Sequence, residues 1–293
     1  MKVDRSITCT NQNNISCLFK EGVFSPFLLE KAEGLYEMSA GINTSDNGVM
    51  DGATYHSSFL KKRNIVLYLR DLNNFKSNRE FLNELFIPKS KGTLYFQEED
   101  EERVISYYVE HVTSNGTGYA RIYQVSLICP DPYFYDRYDT QITMAAFLPS
   151  FTFPHKFKKS GEELGYQQKN KLQQVMNKTG TDNIGMTIEI RCNGAVQNPS
   201  VIRVESNEHI RIGAATKPLN LVAGDRVIIT TEDGGKQVTL HHAGTQEKIN
   251  NYLSEDSTFL QLQRGSNSIG YSADAGVDNI VITIRYKIRY ASA

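Results

Sequence analysis

The sequence predicts a mainly β protein, with an α+β N-terminal domain followed by an antiparallel β-sandwich, and three observations carry that prediction. Strand-like runs alternate with turn residues along most of the 293 residues, a single segment carries a clear helical signature, and the connector Cys129-Pro130-Asp131-Pro132 halts a strand near the middle. Proline fixes its own φ, lacks a backbone donor and biases the preceding residue away from helix, so this connector can neither extend a ladder nor enter a helix interior. Four aromatic residues then fall between Tyr133 and Tyr138. A rigid exit followed by bulky anchors suits a segment that leaves one compact unit for another. The reading is therefore two domains, 1–136 and 137–293, with Cys129, Pro130, Asp131, Pro132, Tyr133, Phe134 and Tyr135 at the junction.

In the first domain Ile15 to Glu21 and Leu35 to Gly41 read as short strands, with Ser25-Pro26-Phe27-Leu28-Leu29 as an apolar break between them. Asn43 to Gly52 is dense in residues that bond their own backbone or tolerate positive φ, and reads as a loop. Ala53 to Leu60 and Asn64 to Asp71 follow as strands; in the second, Ile65, Leu67 and Leu69 alternate against Val66, Tyr68 and Arg70. Ser77-Asn78-Arg79-Glu80 has capping-box spacing ahead of Phe81, Leu82, Leu85 and Phe86, which places a helix there, ended by Pro88. Lys91 to Gln97 returns as a strand, and the acidic run Glu98 to Glu102 reads as a solvated tip rather than a metal site. Arg103 to Val112 and Tyr119 to Ile128 flank a Ser/Asn/Gly turn as a long β-hairpin. Its tyrosines, Tyr107, Tyr108, Tyr119 and Tyr123, suit a subunit interface and equally suit capping of the sheet's own core.

In the second domain Thr140 to Phe147 resumes as a strand, and Phe151 to Pro154 alternates. Lys156 to Lys178, rich in lysine and glutamine, reads as a long excursion with at most one helical turn. From Met186 to Tyr290 short strands recur at close intervals, separated by Asn198-Pro199, Ala223-Gly224-Asp225, Glu232 to Gly235 and Arg264 to Asn267. Many short strands at this spacing indicate an antiparallel sandwich.

Composition narrows the function. The 32 basic and 33 acidic side chains nearly cancel, so bulk charge gives no reason to expect nucleic-acid or membrane-surface binding. No stretch approaches the about 18 apolar residues that a membrane span needs, and the N-terminus lacks an apolar signal core, so a soluble, non-exported chain is expected. Cys9, Cys17, Cys129 and Cys192 show no CxxC spacing and read as free thiols in a reducing compartment. There is no G-x-S-x-G elbow, H-E-x-x-H helix, P-loop or G-x-G-x-x-G after a strand, so no catalytic, cofactor-binding or metal-ligating residue is assigned and no enzyme is predicted. His241 and His242 are adjacent on a strand, which sends their rings to opposite faces. His56, His111, His155 and His209 are isolated. Sugar binding on the sandwich would need a stacking aromatic; the chain has no Trp, and no cluster of tyrosines and polar residues stands out.

The chain resembles the distal tail (Dit) proteins of long, flexible-tailed bacteriophages, the siphovirus tail component family. The resemblance is carried by Ser25-Pro26-Phe27, the strands around Asp51-Gly52 and from Arg63 to Leu69, the helix ending in Phe86-Ile87-Pro88, and above all the 129–135 junction. In the second half it rests on Cys192 to Pro199, Leu221 to Asp225 and Phe259 to Asn267. It covers nearly the whole chain. The resemblance implies a hexameric ring of N-terminal domains between the tail tube protein and the tail-tip proteins, with DNA passing through the lumen without specific binding. It also implies galectin-like C-terminal sandwiches projecting outward to dock receptor-binding proteins, with Lys156 to Lys178 as the excursion that grips them. Location in the virion after assembly in the bacterial cytoplasm follows, with no cofactor and no membrane contact. The histidine, asparagine, arginine and tryptophan signature of sugar-binding galectins is absent. The competing function is a carbohydrate-binding β-sandwich module that aids adsorption to a host surface; the α+β first domain, which such a module would not need, favours the structural hub.

Overall fold

The structure, a computed structural model, describes residues 5–23, 26–48, 51–71, 75–115, 121–149, 165–169, 171–178 and 183–293. The chain divides into two compact units, residues 1–137 with 289–293, and residues 138–288.

The first unit is built on strands β1 (Arg5–Asn11), β2 (Ser16–Glu21), β3 (Leu28–Glu33), β4 (Ala40–Asp46), β5 (Ala53–Leu60) and β6 (Arg63–Asp71), helix α1 (Phe75–Leu85), and strands β7 (Lys91–Glu98), β8 (Glu101–Asn115), β9 (Arg121–Cys129) and β10 (Phe134–Asp136). Strands β7, β1, β2, β3, β6, β9 and β8 pair in that order, and β8 pairs back to β7, so seven strands close on themselves. Closure pairs most of the strand edges in the ring, the β2–β3 seam being the shortest, with Lys20 on Leu28 and Glu21 on Leu29. Alternation sets the inner face: in β6, Ile65, Leu67 and Leu69 are buried while the residues between them are not, apart from the buried ends Arg63 and Asp71. An aromatic cluster fills the interior, with Phe19 stacked on Phe86 at 6.2 Å and Phe27 edge-on to Tyr123 at 6.2 Å. Helix α1 contributes Leu82 and Leu85 to the same core. Buried Asn11 joins them: its Oδ1 accepts from Asn13 N and Ile15 N to shape the β1–β2 turn, and its Nδ2 donates to Glu84 O.

Several local expectations are corrected. The helix begins at Phe75, before the expected cap, so Ser77 lies within its first turn; the Arg121 guanidinium covers the Phe75 ring at 5.1 Å, and Asn78 Nδ2 donates to Asp71 Oδ1. The apolar break at 25–29 contains the start of β3, whose Leu28 and Leu29 pair in parallel with Lys20 and Glu21. Of the segment 35–41, residues 35–39 are bend and irregular chain and Ala40 and Gly41 open β4, and Asn43 to Asp46 is paired strand rather than loop.

At the junction β9 stops at Cys129, and β10 resumes along the same edge of β8. Tyr108 faces Ile128 and Val104 faces Tyr135, so four steps along β8 match seven along the exit, and three extra residues loop out around the two prolines. The loop is held by Arg63, 4% exposed. Its guanidinium donates to Pro132 O, Gly34 O, Leu35 O and Ala291 O at 2.5–2.8 Å and lies 5.0 Å from the Phe134 ring centroid. Asp131 accepts from Tyr133 N and from Tyr135 Oη. Residues 289–293, assigned from sequence to the second domain, belong to the first unit. Arg289 and Tyr290 pair with Tyr135 and Phe134, Tyr290 Oη donates to Asp136, the Arg103 guanidinium sits 3.6 Å from the Tyr290 ring centroid, and Ala293 N donates to Leu35 O.

The second unit holds β11 (Thr140–Thr143), β12 (Ala145–Pro149), β13 (Gly165–Lys169), β14 (Leu172–Asn177), β15 (Thr187–Cys192), β16 (Val196–Gln197), β17 (Ser200–Arg203), β18 (Glu208–Arg211), β19 (Asn220–Leu221), β20 (Arg226–Thr230), β21 (Gln237–His242), β22 (Thr245–Lys248), β23 (Gly265–Ser272) and β24 (Ile280–Tyr286). They form a six-stranded sheet, β11-β24-β15-β20-β21-β22, and a four-stranded sheet, β14-β23-β17-β18, with the short pairs β12–β13 and β16–β19. Both sheets are antiparallel and bury one face, with Ile188, Ile190, Val227 and Ile282 inward on the first and Val201 and Ile269 on the second. Three buried side chains staple the turns. Asn198 Oδ1 accepts from Leu219 N, Asp225 Oδ2 accepts from Val222 N, and Asn267 bonds both the N and the O of Gln263.

Two stability consequences follow. A Cβ on Gly92 would lie 2.3 Å from Tyr107 Cζ and 2.7 Å from Thr10 O, whereas one on exposed Gly235 meets nothing closer than 3.9 Å. Gly92→Ala is expected to cost about 1–3 kcal/mol and Gly235→Ala under about 0.5 kcal/mol in urea unfolding. Arg63→Lys keeps the charge but cannot reach four carbonyls with one ammonium group, and a loss of about 2–4 kcal/mol is expected by the same measurement; a loss below about 1 kcal/mol would show that water replaces the guanidinium.

Candidate assembly surfaces

The predicted tyrosines separate into two kinds. Tyr107 is fully buried and packs on Phe86, with ring centroids 6.4 Å apart, and Tyr123 is buried against Phe27. The inward face of the barrel claims both, which corrects their assignment to a candidate subunit interface. Tyr108, on the alternate face, is 43% exposed and remains a surface residue. Tyr119 lies outside the described residues, as do Phe151 to Pro154. Of the junction residues, Cys129 and Phe134 are buried, and Pro132 and Tyr135 are fixed by the bonds described above.

The expected excursion Lys156 to Lys178 lies partly outside the described residues. Its described part is strand, not loop: β13 pairs with β12 and β14 pairs with β23, burying Val175 and Asn177. At the acidic run, Glu98 accepts from Arg5 at 2.6 Å and from Tyr36 Oη at 2.9 Å, and the Arg5 bond holds its carboxyl below the usual range. Glu101 and Glu102 pair with Arg103 and Arg137, so these acids brace the β7–β8 turn. His241 and His242 leave β21 on opposite faces, and His242 Nδ1 lies 2.6 Å from Asp225 Oδ1. The four cysteines are buried free thiols, and burial pushes Cys17 up to about 11 and Cys129 up to about 12. Among the described residues no three His, Cys, Asp or Glu side chains are grouped to hold a metal ion.

A surface that sequence reasoning missed is the hairpin of β4 and β5. The two strands pair only with each other, and almost every residue in them is exposed. Register gives the hairpin two unlike faces. Ile42 opposite Ser58, Ala40 opposite Leu60 and Thr44 opposite Tyr55 put Ala40, Ile42, Tyr55 and Leu60 on one face. The other face is a polar ladder, with Asn43 bonded to Ser57, Ser45 to His56 and Asn47 to Thr54. The Phe59 ring lies across Gly41 on that side, where a Cβ would come within 2.6 Å of it. Ile42 is 65% exposed and Tyr55 59%. Elsewhere in the same unit, a cleft of about 340 Å³ is lined by Leu18, Lys20, Val23, Pro26 and Phe81, with Leu18 half exposed.

The model of the siphovirus-type tail component C-terminal domain matches residues 179–290. The fold is similar to that of SPP1 Dit (gp 19.1), described as a paradigm of the hub adsorption apparatus in Gram-positive infecting phages, at 12% identity and a TM-score of 0.68 over 97% of this chain and 99% of that one. It is also similar to a chain of the phage P2 baseplate in its activated conformation with Ca, at 12% identity and a TM-score of 0.50, covering both chains in full. No curated protein matches the sequence. Residues 179–290 are thus similar to the C-terminal domain of the siphovirus-type tail component family, and over almost its whole length the chain has a Dit-like fold.

Proposed function

We propose that this chain is a structural protein of a siphophage-type tail, a distal hub that connects the tail tube to tail-tip and receptor-binding proteins. It acts by geometry rather than by turnover. Copies of the first unit assemble into a hexameric ring whose lumen passes DNA without specific contacts, and the second unit is a galectin-like sandwich that offers a docking surface. Assembly takes place in the bacterial cytoplasm, and the protein ends in the virion.

The observation that carries the reading is the amphipathic β4–β5 hairpin. An isolated two-stranded hairpin is marginal in water, and this one presents Ile42, Tyr55 and Leu60 on a single face. Covering that face removes apolar area from water at roughly 25 cal/mol per Å². The ring of strands is paired along most of its seams, the short β2–β3 seam excepted, so side-chain faces are the main surfaces it leaves for a neighbour. The apolar cleft at Leu18, Val23 and Phe81 is a different surface of the same unit. A contact from the hairpin of one copy to the cleft of the next is head-to-tail, and such a contact closes as a ring when its rotation allows.

Light scattering after size exclusion, across a concentration series, tests the reading. The wild type is expected to reach the mass of six copies, with rings visible in negative stain. Ile42→Asp and Leu18→Asp, each placing a charge on an exposed position, are expected to weaken association at least about tenfold while leaving the unfolding midpoint nearly unchanged. A wild type that stays monomeric at every concentration, alone and with a tail tube protein added, would refute the hub.

A further inference from the structure

The outer face of the six-stranded sheet carries cations that strand register sets side by side. Arg191 of β15 lies directly opposite Arg226 of β20, and Arg226 lies directly opposite His241 of β21. Burial alternates along these strands, with Ile190 and Cys192, and likewise Val227, on the buried face. Arg191 and Arg226 therefore leave the sheet together on the exposed face. Directly opposed side chains of an antiparallel pair have Cβ atoms about 5 Å apart, and like charges so placed destabilise the ladder.

Among the described residues no acid offsets this repulsion. Among the residues of the six strands, the one acid on this face is Glu189, and it is taken by Arg285, Nη2 to Oε2 at 2.9 Å. Asp225, beside Arg226 in sequence, is buried and committed to Val222 N and His242 Nδ1. Glu247 stands opposite Leu240, in the other alternation of the register. Lys248, opposite Thr239, adds a further formal positive charge to the face. Among the described residues, no carboxylate lies within ion-pair distance of Arg191 or Arg226.

We infer that this face is an anion site that binds a phosphate group between Arg191 and Arg226, with His241 as a flanking donor. A carboxylate is satisfied by one guanidinium fork, whereas a phosphate carries more charge and enough acceptor oxygens for two forks on adjacent strands. The bound group cancels the repulsion that the register builds in. The site belongs to the second unit alone and does not depend on ring assembly or on the hub reading.

Thermal unfolding of the full chain at pH 7.5, in sodium phosphate, sodium chloride or sodium glutamate at matched ionic strength, tests it, together with titration calorimetry using inorganic phosphate. Phosphate at about twenty times its Kd is expected to raise Tm by roughly 2–5 °C over chloride, with one phosphate bound per chain. Arg226→Gln is expected to unfold no earlier than the wild type in chloride, because it relieves the repulsion, and to lose the phosphate increment. Arg226→Lys, which keeps the charge without the fork, is expected to bind about tenfold more weakly. The same rise in chloride would reduce the effect to screening, and the same rise in glutamate would replace phosphate by any carboxylate; either result overturns the assignment. So does an undiminished phosphate increment in Arg226→Gln.

Discussion

The first unit depends on one buried guanidinium. Arg63 opens β6, where alternation directs it inward, and burial lowers its pKa because the charged form is being desolvated. Among the described residues no carboxylate pairs with it. Instead four backbone carbonyls and the face of Phe134 surround it. Those carbonyls come from the bend at 34–35, the junction loop at 132 and the C-terminal residue 291; pairing of 289–290 with β10 brings the last two close, and the guanidinium ties both to the bend. Leu35 O keeps a second donor in Ala293 N, but each carbonyl loses a charged donor without the arginine, and the guanidinium would be stranded without the carbonyls, so the pieces are fixed jointly. The three-residue loop-out between β9 and β10 is a consequence. It lets the chain leave the edge of β8, place Pro132 O on the guanidinium, and return to the same edge.

Barrel closure decides where this unit can interact. A ring of strands paired at length along every seam but the short β2–β3 one has little unpaired backbone to offer, so association falls mainly to side-chain faces and to the hairpin that stands outside the ring. The hairpin's polar face is already satisfied by its own cross-strand bonds. The Ile42, Tyr55 and Leu60 face gains by being covered, as does the exposed Phe59 ring on the polar side, so a partner on the first face must be apolar there. The same economy separates core from surface among the tyrosines. Tyr107 and Tyr108 are neighbours in sequence, yet period-2 alternation sends one into the aromatic cluster and leaves the other outside.

Sequence revealed those parts whose signal is local. The alternation of β6, the stop at Pro130 and Pro132, and the helix from its Leu82, Leu85 and Phe86 spacing were all legible because burial or φ restriction acts within a few residues. The three second-unit motifs were legible for a related reason. Two contain the buried residue that staples the motif's own turn, Asp225 or Asn267, and the third contains buried Asn198, which ties its turn to Leu219 N and Asp274. What stayed hidden depends on distant partners. The Leu28–Leu29 strand exists by a short parallel pairing with β2, and Leu172–Asn177 by pairing with β23. The hairpin carries no alternating burial because neither face is covered within one chain, so its Asn and Ser residues read as loop. The return of Arg289 to Ala293 to the first unit rests on Arg63 and β10, more than 150 residues upstream.

The buried polar groups of the chain are spent on shape. Asn11, Asn198, Asp225 and Asn267 bond backbone N–H and C=O groups at turns, and Arg63 bonds carbonyls at the junction. The thiols sit in apolar surroundings that keep them protonated at neutral pH, Cys9 most strongly among them. Groups held in this way make a rigid scaffold, and a rigid scaffold can carry surfaces that would be unfavourable on their own. The uncovered apolar face of the hairpin and the facing arginines of β15 and β20 are two such surfaces, one in each unit. Both break the local rule that governs the strands around them, and a stable frame is what allows each to persist until a partner relieves it.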